Sequence, residues 1–180
     1  MPLTNNDLIT AANTLGCEVA CIRAIDEVES NGLGFKNGQL VVRFEPAYFL
    51  KYTGKSVAGT DRAAYEKAAA INAHFALMSS SWGRYQLMGF NYIPCGFGSV
   101  ETFVATMQLS EQAQLAAFVA FIKHEKLDGY LRDKQWLPLA LRYNGPRQQG
   151  YDKKLSAAYA KYAGQVVAPD AIVKKKPLLT

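Results

Sequence analysis

The fold of this chain is organised around the stretch Ile22-Arg23-Ala24-Ile25-Asp26-Glu27-Val28-Glu29-Ser30-Asn31-Gly32. Its apolar residues recur every three or four positions, which predicts an amphipathic helix that ends at the Glu-Ser pair and the following glycine. At about 100° per residue, Glu29 falls within roughly 35° of the centre of the apolar face, whereas Glu27 points nearly the opposite way. We therefore expect the Glu29 side chain to face the interior and Glu27 to face solvent.

A carboxylate on the core-facing side of a helix is unfavourable unless it is paired or stays protonated. Glu29 also lies in the last helical turn, where the negative end of the helix dipole opposes ionisation. Burial and dipole both raise the pKa of such a carboxyl, as a general acid requires. The alternative is a structural glutamate satisfied by an arginine or by backbone donors.

The composition predicts one globular domain, with 180 residues of which 49% are hydrophobic. We assign residues 1–163 to this domain and residues 164–180, which lack any periodicity, to a flexible tail or linker stub. The net charge of +5 favours an anionic partner such as nucleic acid, a membrane surface or bacterial cell wall. The basic residues are dispersed, with one compact run at Lys174-Lys175-Lys176, which argues against nucleic acid.

The first residues lack a basic region followed by an apolar run, and no apolar run reaches the ~18 residues that a membrane span needs. We therefore expect a soluble protein, made in a cytoplasm and not stably inserted in a membrane. Cys17, Cys21 and Cys95 are expected to be reduced and buried. With two histidines and no Cys-x-x-Cys pattern, the sequence predicts neither a metal site nor a cofactor.

Capping and breaking signals predict helices along most of the chain, with caps at Thr4, Asp61, Ser99 and Ser110. Asn37-Gly38 between apolar-rich flanks predicts a β-hairpin between Gly34 and Glu45. The segment 79–83 is predicted to be a loop, and 84–88 a short helix. The expected fold class is mainly α, an α+β arrangement with one small hairpin directly after the Glu29 helix.

Four sequence blocks occur in a characteristic order. They are Ile25-Asp26-Glu27-Val28-Glu29-Ser30, Arg43-Phe44-Glu45, Ser81-Trp82-Gly83-x-x-Gln86-Leu87-Met88-Gly89-Phe90-Asn91, and Tyr143-Asn144-Gly145-Pro146 followed by Tyr151-Asp152-x-Lys154-Leu155. This order resembles the lysozyme superfamily, and is closest in kind to goose-type lysozymes and soluble lytic transglycosylases. More specifically, residues 16–163 resemble the phage endolysin N-acetylmuramidase family, which implies a lysozyme-like fold.

The resemblance implies that Glu29 is the catalytic acid that protonates the glycosidic oxygen. Gln86 and Tyr143 match positions that line the sugar cleft, and Asn144 would hold the turn after Tyr143 or contact substrate.

Ser81 and Trp82 belong to the third block and are expected to bind substrate. Trp82 is a candidate surface for stacking a sugar ring, the alternative being a tryptophan buried in the core.

Cleavage also needs a group that stabilises or traps the oxocarbenium-like centre. Glu45 is the first choice, because a folded hairpin would bring it near the end of the Glu29 helix. It could instead be a structural residue paired with Arg43, and Glu27 could serve only if its helix ended early. Without a second acid, the chain would suit a lytic transglycosylase, in which the substrate's own 6-hydroxyl attacks.

The sequence thus predicts a monomeric peptidoglycan-degrading endolysin that cleaves the β-1,4 bond between N-acetylmuramic acid and N-acetylglucosamine. It is expected in the host cytoplasm until lysis, and then in the periplasm and cell wall. The alternatives are a lytic transglycosylase that forms 1,6-anhydromuramic ends and a non-catalytic peptidoglycan-binding component of a virion.

Overall fold

The computed structural model of the protein describes residues 2–146 and 149–171. Helices make up most of these residues, as expected for a mainly α, lysozyme-like fold. They are α1 (Asn5–Leu15), α2 (Val19–Ser30), α3 (Pro46–Thr53), α4 (Arg62–Ile71), α5 (Ala73–Met78), α6 (Val100–Met107), α7 (Glu111–His124), α8 (Asp128–Arg132), α9 (Trp136–Tyr143) and α10 (Tyr151–Tyr162), with a 3-10 helix at Gly89–Asn91.

The helix that carries Glu29 ends where the sequence predicts. Asn31 takes a left-handed conformation with a φ of +52°, and its amide donates to the carbonyl of Glu27 at 3.0 Å. The amide of Gly32 donates to the carbonyl of Asp26 at 3.2 Å. These two bonds satisfy carbonyls that the last helical turn would otherwise leave unpaired, so α2 stops within two residues of Glu29.

The predicted hairpin is confirmed, although it spans residues 35–40 and is shorter than the predicted 34–45. Strand β1 (Phe35–Lys36) pairs antiparallel with β2 (Gln39–Leu40). The connecting residues Asn37 and Gly38 have φ angles of +52° and +75°. Two consecutive positive φ angles match the twist of a two-residue hairpin turn, and this is the reason that Asn-Gly is favoured there.

A second sheet corrects the prediction that the hairpin is the chain's single β element. Strand β3 (Val42–Phe44) pairs with β4 (Ser80–Trp82), which pairs with β5 (Leu87–Met88), all antiparallel. The predicted loop 79–83 and helix 84–88 are therefore wrong. Residue Gln86 has a φ of +45°, which forms a turn rather than a helix.

Helix α10 crosses α2 and contacts both glutamates of the opening stretch. The hydroxyl of Tyr162 donates to Glu27 at 2.7 Å, and the ammonium of Lys161 pairs with the same carboxylate. At the other end of α10, the hydroxyl of Tyr151 donates to Glu29. Because α2 continues to Ser30, Glu27 stays outside the cleft described below, and the early helix end that its catalytic use would require does not occur.

The main hydrophobic core lies between α2, α6 and α7 and includes the fully buried Ile22, Ile25, Phe103, Phe118 and Ile122. A smaller core under the second sheet contains Phe44 and Phe49. Burial of such side chains contributes about 1.5–3 kcal/mol each, so α2 is held firmly on its apolar face.

Helix α10 ends at Tyr162, and residues 164–171 contain no helix or strand. Even so, Asn5 donates to the carbonyl of Ala168 at 3.1 Å, and the amide of Asn6 donates to Asp170 at 3.0 Å. The Lys174-Lys175-Lys176 run lies outside the described residues. No single helix within residues 2–146 and 149–171 is long and apolar enough to cross a membrane, although the bent pair α1 and α2 passes that test together by length and composition.

Candidate active site

A cleft of about 550 Å³ lies beside the end of α2, a volume in the range of small-ligand sites. It receives side chains from both the helical part and the second sheet. Six of the seven predicted site residues line it, namely Glu29, Glu45, Ser81, Gln86, Tyr143 and Asn144. The chain therefore brings together residues that are more than a hundred positions apart in sequence.

Glu29 provides a carboxyl that can hold a proton near neutral pH. Burial raises its pKa to about 7, while the hydrogen bond from Tyr151 and the charge of Arg43 act in the opposite direction. Desolvation disfavours the ionised form because a carboxylate loses hydration that few protein groups replace. The raised pKa lets the carboxyl keep a proton closer to neutral pH than an exposed glutamate does, so it can serve as a proton donor.

Tyr151 has no assigned role in the sequence-based account, although it lies within the fourth block. It is the first residue of α10 and is preceded by Gly150, whose φ is +79°. Its ring is buried and lies parallel to the ring of Tyr143, with centroids 6.3 Å apart. Its hydroxyl donates to Oε1 of Glu29.

Tyr143 contributes its ring to the cleft. Its hydroxyl donates to the backbone carbonyl of Tyr85 at 2.7 Å, and its ring packs edge to face with Phe121 at 5.6 Å. Burial raises the pKa of its phenol well above the usual range, so the hydroxyl stays protonated. Tyr143 therefore braces the wall against which Tyr151 stacks.

Ser81 and Gln86 contact each other across the β4–β5 turn. The hydroxyl of Ser81 donates to Oε1 of Gln86 at 2.8 Å, and Nε2 of Gln86 donates to the carbonyl of Gly83 at 2.8 Å. Both ends of the Gln86 amide are thus held, although its left-handed backbone is unfavourable for a residue other than glycine. Such a conformation persists when the surrounding contacts enforce it.

Of the two alternatives for Trp82, a sugar-stacking surface or a core tryptophan, the structure shows the core tryptophan. The residue is 2% exposed and belongs to the main core, where its ring meets Tyr65 edge to face at 5.1 Å. Its indole N–H donates to the carbonyl of Leu77 at 3.1 Å. Strand β4 alternates its side chains across the sheet, so Ser81 faces the cleft while Trp82 faces the core.

Glu45, which was predicted to be the second catalytic group, lines the cleft. Its Oε1 lies 3.1 Å from Nε of Arg43, which lines the cleft as well. Glu45 thus forms the ion pair with Arg43 that a structural role predicts. It also lies in the cleft, as a catalytic role requires. Lys154 of α10 adds another cation to the lining.

Asn144 follows the last residue of α9, and its amide donates to the carbonyl of Ala140 at 2.9 Å. It lines the cleft next to Tyr143. Within the described part of the chain, no group of three or more His, Cys, Asp or Glu residues could hold a metal ion.

A buried ion network under the Glu29 helix was not predicted. Arg84 lies between Asp26 and Glu111, with Nε 2.6 Å from one Asp26 oxygen and Nη1 2.8 Å from Glu111. The amide of Gly34, just before the hairpin, donates to the other Glu111 oxygen at 2.9 Å. The network therefore ties α2, the hairpin, the β4–β5 turn and α7 together.

Comparisons with known proteins identify the family to which the chain is similar. The family model Muramidase, described as N-acetylmuramidase, matches residues 18–64 and 58–163. The crystal structure of Burkholderia AP3 phage endolysin is similar, with a TM-score of 0.76 and 34% sequence identity over 89% of this chain and 70% of that chain. No curated protein matches the chain.

Proposed function

The chain belongs to the N-acetylmuramidase family of peptidoglycan-degrading enzymes, and we propose that it acts as a phage endolysin with Glu29 as general acid. The bond cleaved is the β-1,4 linkage between N-acetylmuramic acid and N-acetylglucosamine. The observation that carries this proposal is a carboxyl with a pKa of about 7 at the edge of a sugar-sized cleft. A proton donor in such a position is what departure of a sugar hydroxyl requires.

In the first step Glu29 transfers its proton to the glycosidic oxygen as that bond breaks, and positive charge develops on the anomeric carbon. The Glu29 carboxylate that results faces the cleft. Glu45 is the proposed second group, which directs water to the anomeric carbon or stabilises its charge. Its contact with Arg43, at 3.1 Å between Nε and Oε1, holds the Glu45 side chain within the cleft.

Ser81, Gln86, Tyr143 and Asn144 are proposed to bind the glycan, since they line the same cleft as the two carboxylates. The fixed Gln86 amide still has one N–H free of the bond to Gly83, which suits a sugar hydroxyl or acetamido oxygen.

A lytic transglycosylase is the second candidate. It is favoured by the Arg43 pair, because a carboxylate that contacts an arginine is less available to direct water. Glu29 is the other carboxylate among the described residues that line the cleft. In that reaction, the 6-hydroxyl of muramic acid attacks and Glu29 acts first as acid and then as base.

Mass spectrometry of digested peptidoglycan distinguishes these reactions. Hydrolysis gives reducing muramic acid ends, and this is the expected result. Products with 1,6-anhydro ends would assign transglycosylation, and the absence of both products would favour a non-catalytic virion component.

We also propose that the protein remains in the host cytoplasm until lysis and acts as a monomer on the wall. The net charge of +5 favours adsorption to the anionic envelope. Cell fractionation before and after lysis, together with light scattering of the purified protein, tests both statements.

A further inference from the structure

Tyr151 contacts the proposed acid directly, and its phenol is the donor in that contact. Burial raises the pKa of Tyr151 well above its usual range, so the hydroxyl keeps its proton at neutral pH. The hydroxyl donates to Oε1 of Glu29. A donor at one oxygen of a carboxyl makes the two oxygens inequivalent.

The phenol is held in place by its neighbours. Tyr151 and Tyr143 have nearly parallel rings, with 6° between their planes, and Tyr143 is itself fixed by its bond to the Tyr85 carbonyl. Tyr151 also begins α10, which crosses α2 and is joined to it again by the Tyr162–Glu27 bond. The Tyr151 hydroxyl is therefore positioned before any substrate enters.

A neutral carboxyl has one carbonyl oxygen and one hydroxyl oxygen. Because Oε1 accepts the phenol hydrogen, the carbonyl form at Oε1 is favoured and the proton of Glu29 resides on Oε2. After that proton is transferred, the bond to Oε1 becomes a charge-assisted one, which is stronger. The contact therefore favours the carboxylate that forms as the glycosidic bond breaks, more than it favours the starting acid.

We propose, on the basis of the general-acid role of Glu29, that Tyr151 is a positioning residue that binds Oε1 and keeps the transferable proton on Oε2. The titratable and charged groups that face Glu29 within the described residues come from every element around it. They are Tyr151 and Lys154 of α10, Tyr143 of α9, Arg43 of β3, and Glu45 at the start of α3.

The test compares the full chain with Tyr151→Phe, which keeps the stacked ring and removes the hydroxyl. On soluble glycan fragments, kcat should fall about 10- to 100-fold while KM changes by less than about twofold. Loss of the donor disfavours the carboxylate, so the alkaline limb of kcat against pH should move upward by about one pH unit.

Tyr162→Phe is the matched control, because it removes a tyrosine–glutamate bond from the same pair of helices outside the cleft. It should change neither kcat nor the alkaline limb. The inference is overturned if Tyr151→Phe keeps wild-type kcat, if its kcat falls with an unmoved limb, or if Tyr162→Phe has the same effect.

Circular dichroism establishes whether Tyr151→Phe is folded. If it is not, 3-fluorotyrosine at position 151 keeps the ring and provides a more acidic donor. This replacement should move the alkaline limb of kcat to lower pH, and an unmoved limb would overturn the inference. Glu29→Gln separates the two proposals. Full activity in Glu29→Gln removes the general-acid role itself, whereas an inactive Glu29→Gln with a wild-type Tyr151→Phe removes only the role of Tyr151.

Discussion

Arg84 contacts Asp26 through two nitrogens, one helical turn before Glu29. Nε lies 2.6 Å from Oδ1 and Nη2 lies 2.6 Å from Oδ2, and both side chains are largely buried. Burial raises the pKa of Asp26, although the Arg84 guanidinium acts in the opposite direction. The pair lies under the end of α2, so it supports the helix that presents Glu29 to the cleft.

Removal of the cation from this network should strongly destabilise the fold. Arg84→Met leaves Asp26 and Glu111 as buried carboxyls without their cation, which costs about 3–5 kcal/mol. Guanidinium unfolding measures the loss of free energy. Lys123→Met, which breaks a half-exposed pair with Asp128, is the control and should cost less than about 1 kcal/mol. Equal losses of unfolding free energy in the two variants would show that the buried network stabilises the fold no more than the half-exposed pair does.

Ionisation of Glu29 should lower the free energy of unfolding of the protein. Its folded pKa of about 7 lies above the usual glutamate value of 4.5, so the folded state binds the proton more tightly than the unfolded state does. This stabilisation is complete below pH 4.5 and is lost as pH rises to about 7. Glu29→Gln should therefore be more stable than wild type at pH 8, by an amount on the order of 3 kcal/mol at most, and not at pH 5.

Glu27→Gln is the matched control in those denaturant titrations. The bonds from Lys161 and Tyr162 lower the pKa of Glu27, so its ionised form is the favoured one in the folded protein. The substitution should destabilise slightly at pH 8, opposite in sign to Glu29→Gln. If the stability of Glu29→Gln relative to wild type were the same at pH 5 and pH 8, the raised pKa of the buried Glu29 would be contradicted.

Glu45→Gln tests the second catalytic group. If Glu45 directs water or stabilises charge, kcat for release of reducing ends should fall about 100-fold. Glu66→Gln, which changes an exposed glutamate outside the cleft, should keep wild-type turnover. Wild-type turnover in Glu45→Gln would remove Glu45 from the mechanism and leave its pair with Arg43 as a structural contact.

Trp82→Phe should affect stability and not substrate binding. The smaller ring leaves a cavity and removes the indole donor from the Leu77 carbonyl, with a cost of about 1–3 kcal/mol. Thermal unfolding and KM on glycan fragments should separate the two effects. A raised KM in a variant of unchanged stability would restore the stacking role.

Most helices could be predicted because their signals are local. Thr4 and Asp7 form a capping box at the start of α1, and Gly16 ends that helix at a φ of +67°. Asn37-Gly38 is equally local. Strand β4, by contrast, forms because it pairs with β3. Arg43 of β3 lies opposite Ser81 of β4, 38 residues later in the chain, and no short-range pattern encodes that pairing.

The site was predicted where periodicity or a sequence block marked a residue, and missed where a distant contact defined it. Periodicity distinguished Glu29, which lines the cleft, from Glu27, which does not. Asp26 lies about 90° from the centre of the apolar face, so periodicity did not predict that its side chain is buried. In the structure it is buried in contact with Arg84. Tyr151 acquires its role from a contact 122 residues away, which no local pattern reveals.

The central claim is that Glu29 supplies the proton for cleavage of the glycosidic bond. It is tested most directly by the rate at which purified wild type and Glu29→Gln release reducing muramic acid ends from peptidoglycan, followed by mass spectrometry at pH 6. We expect steady release by wild type and none above background by a folded Glu29→Gln. Release at the wild-type rate by Glu29→Gln would contradict the account.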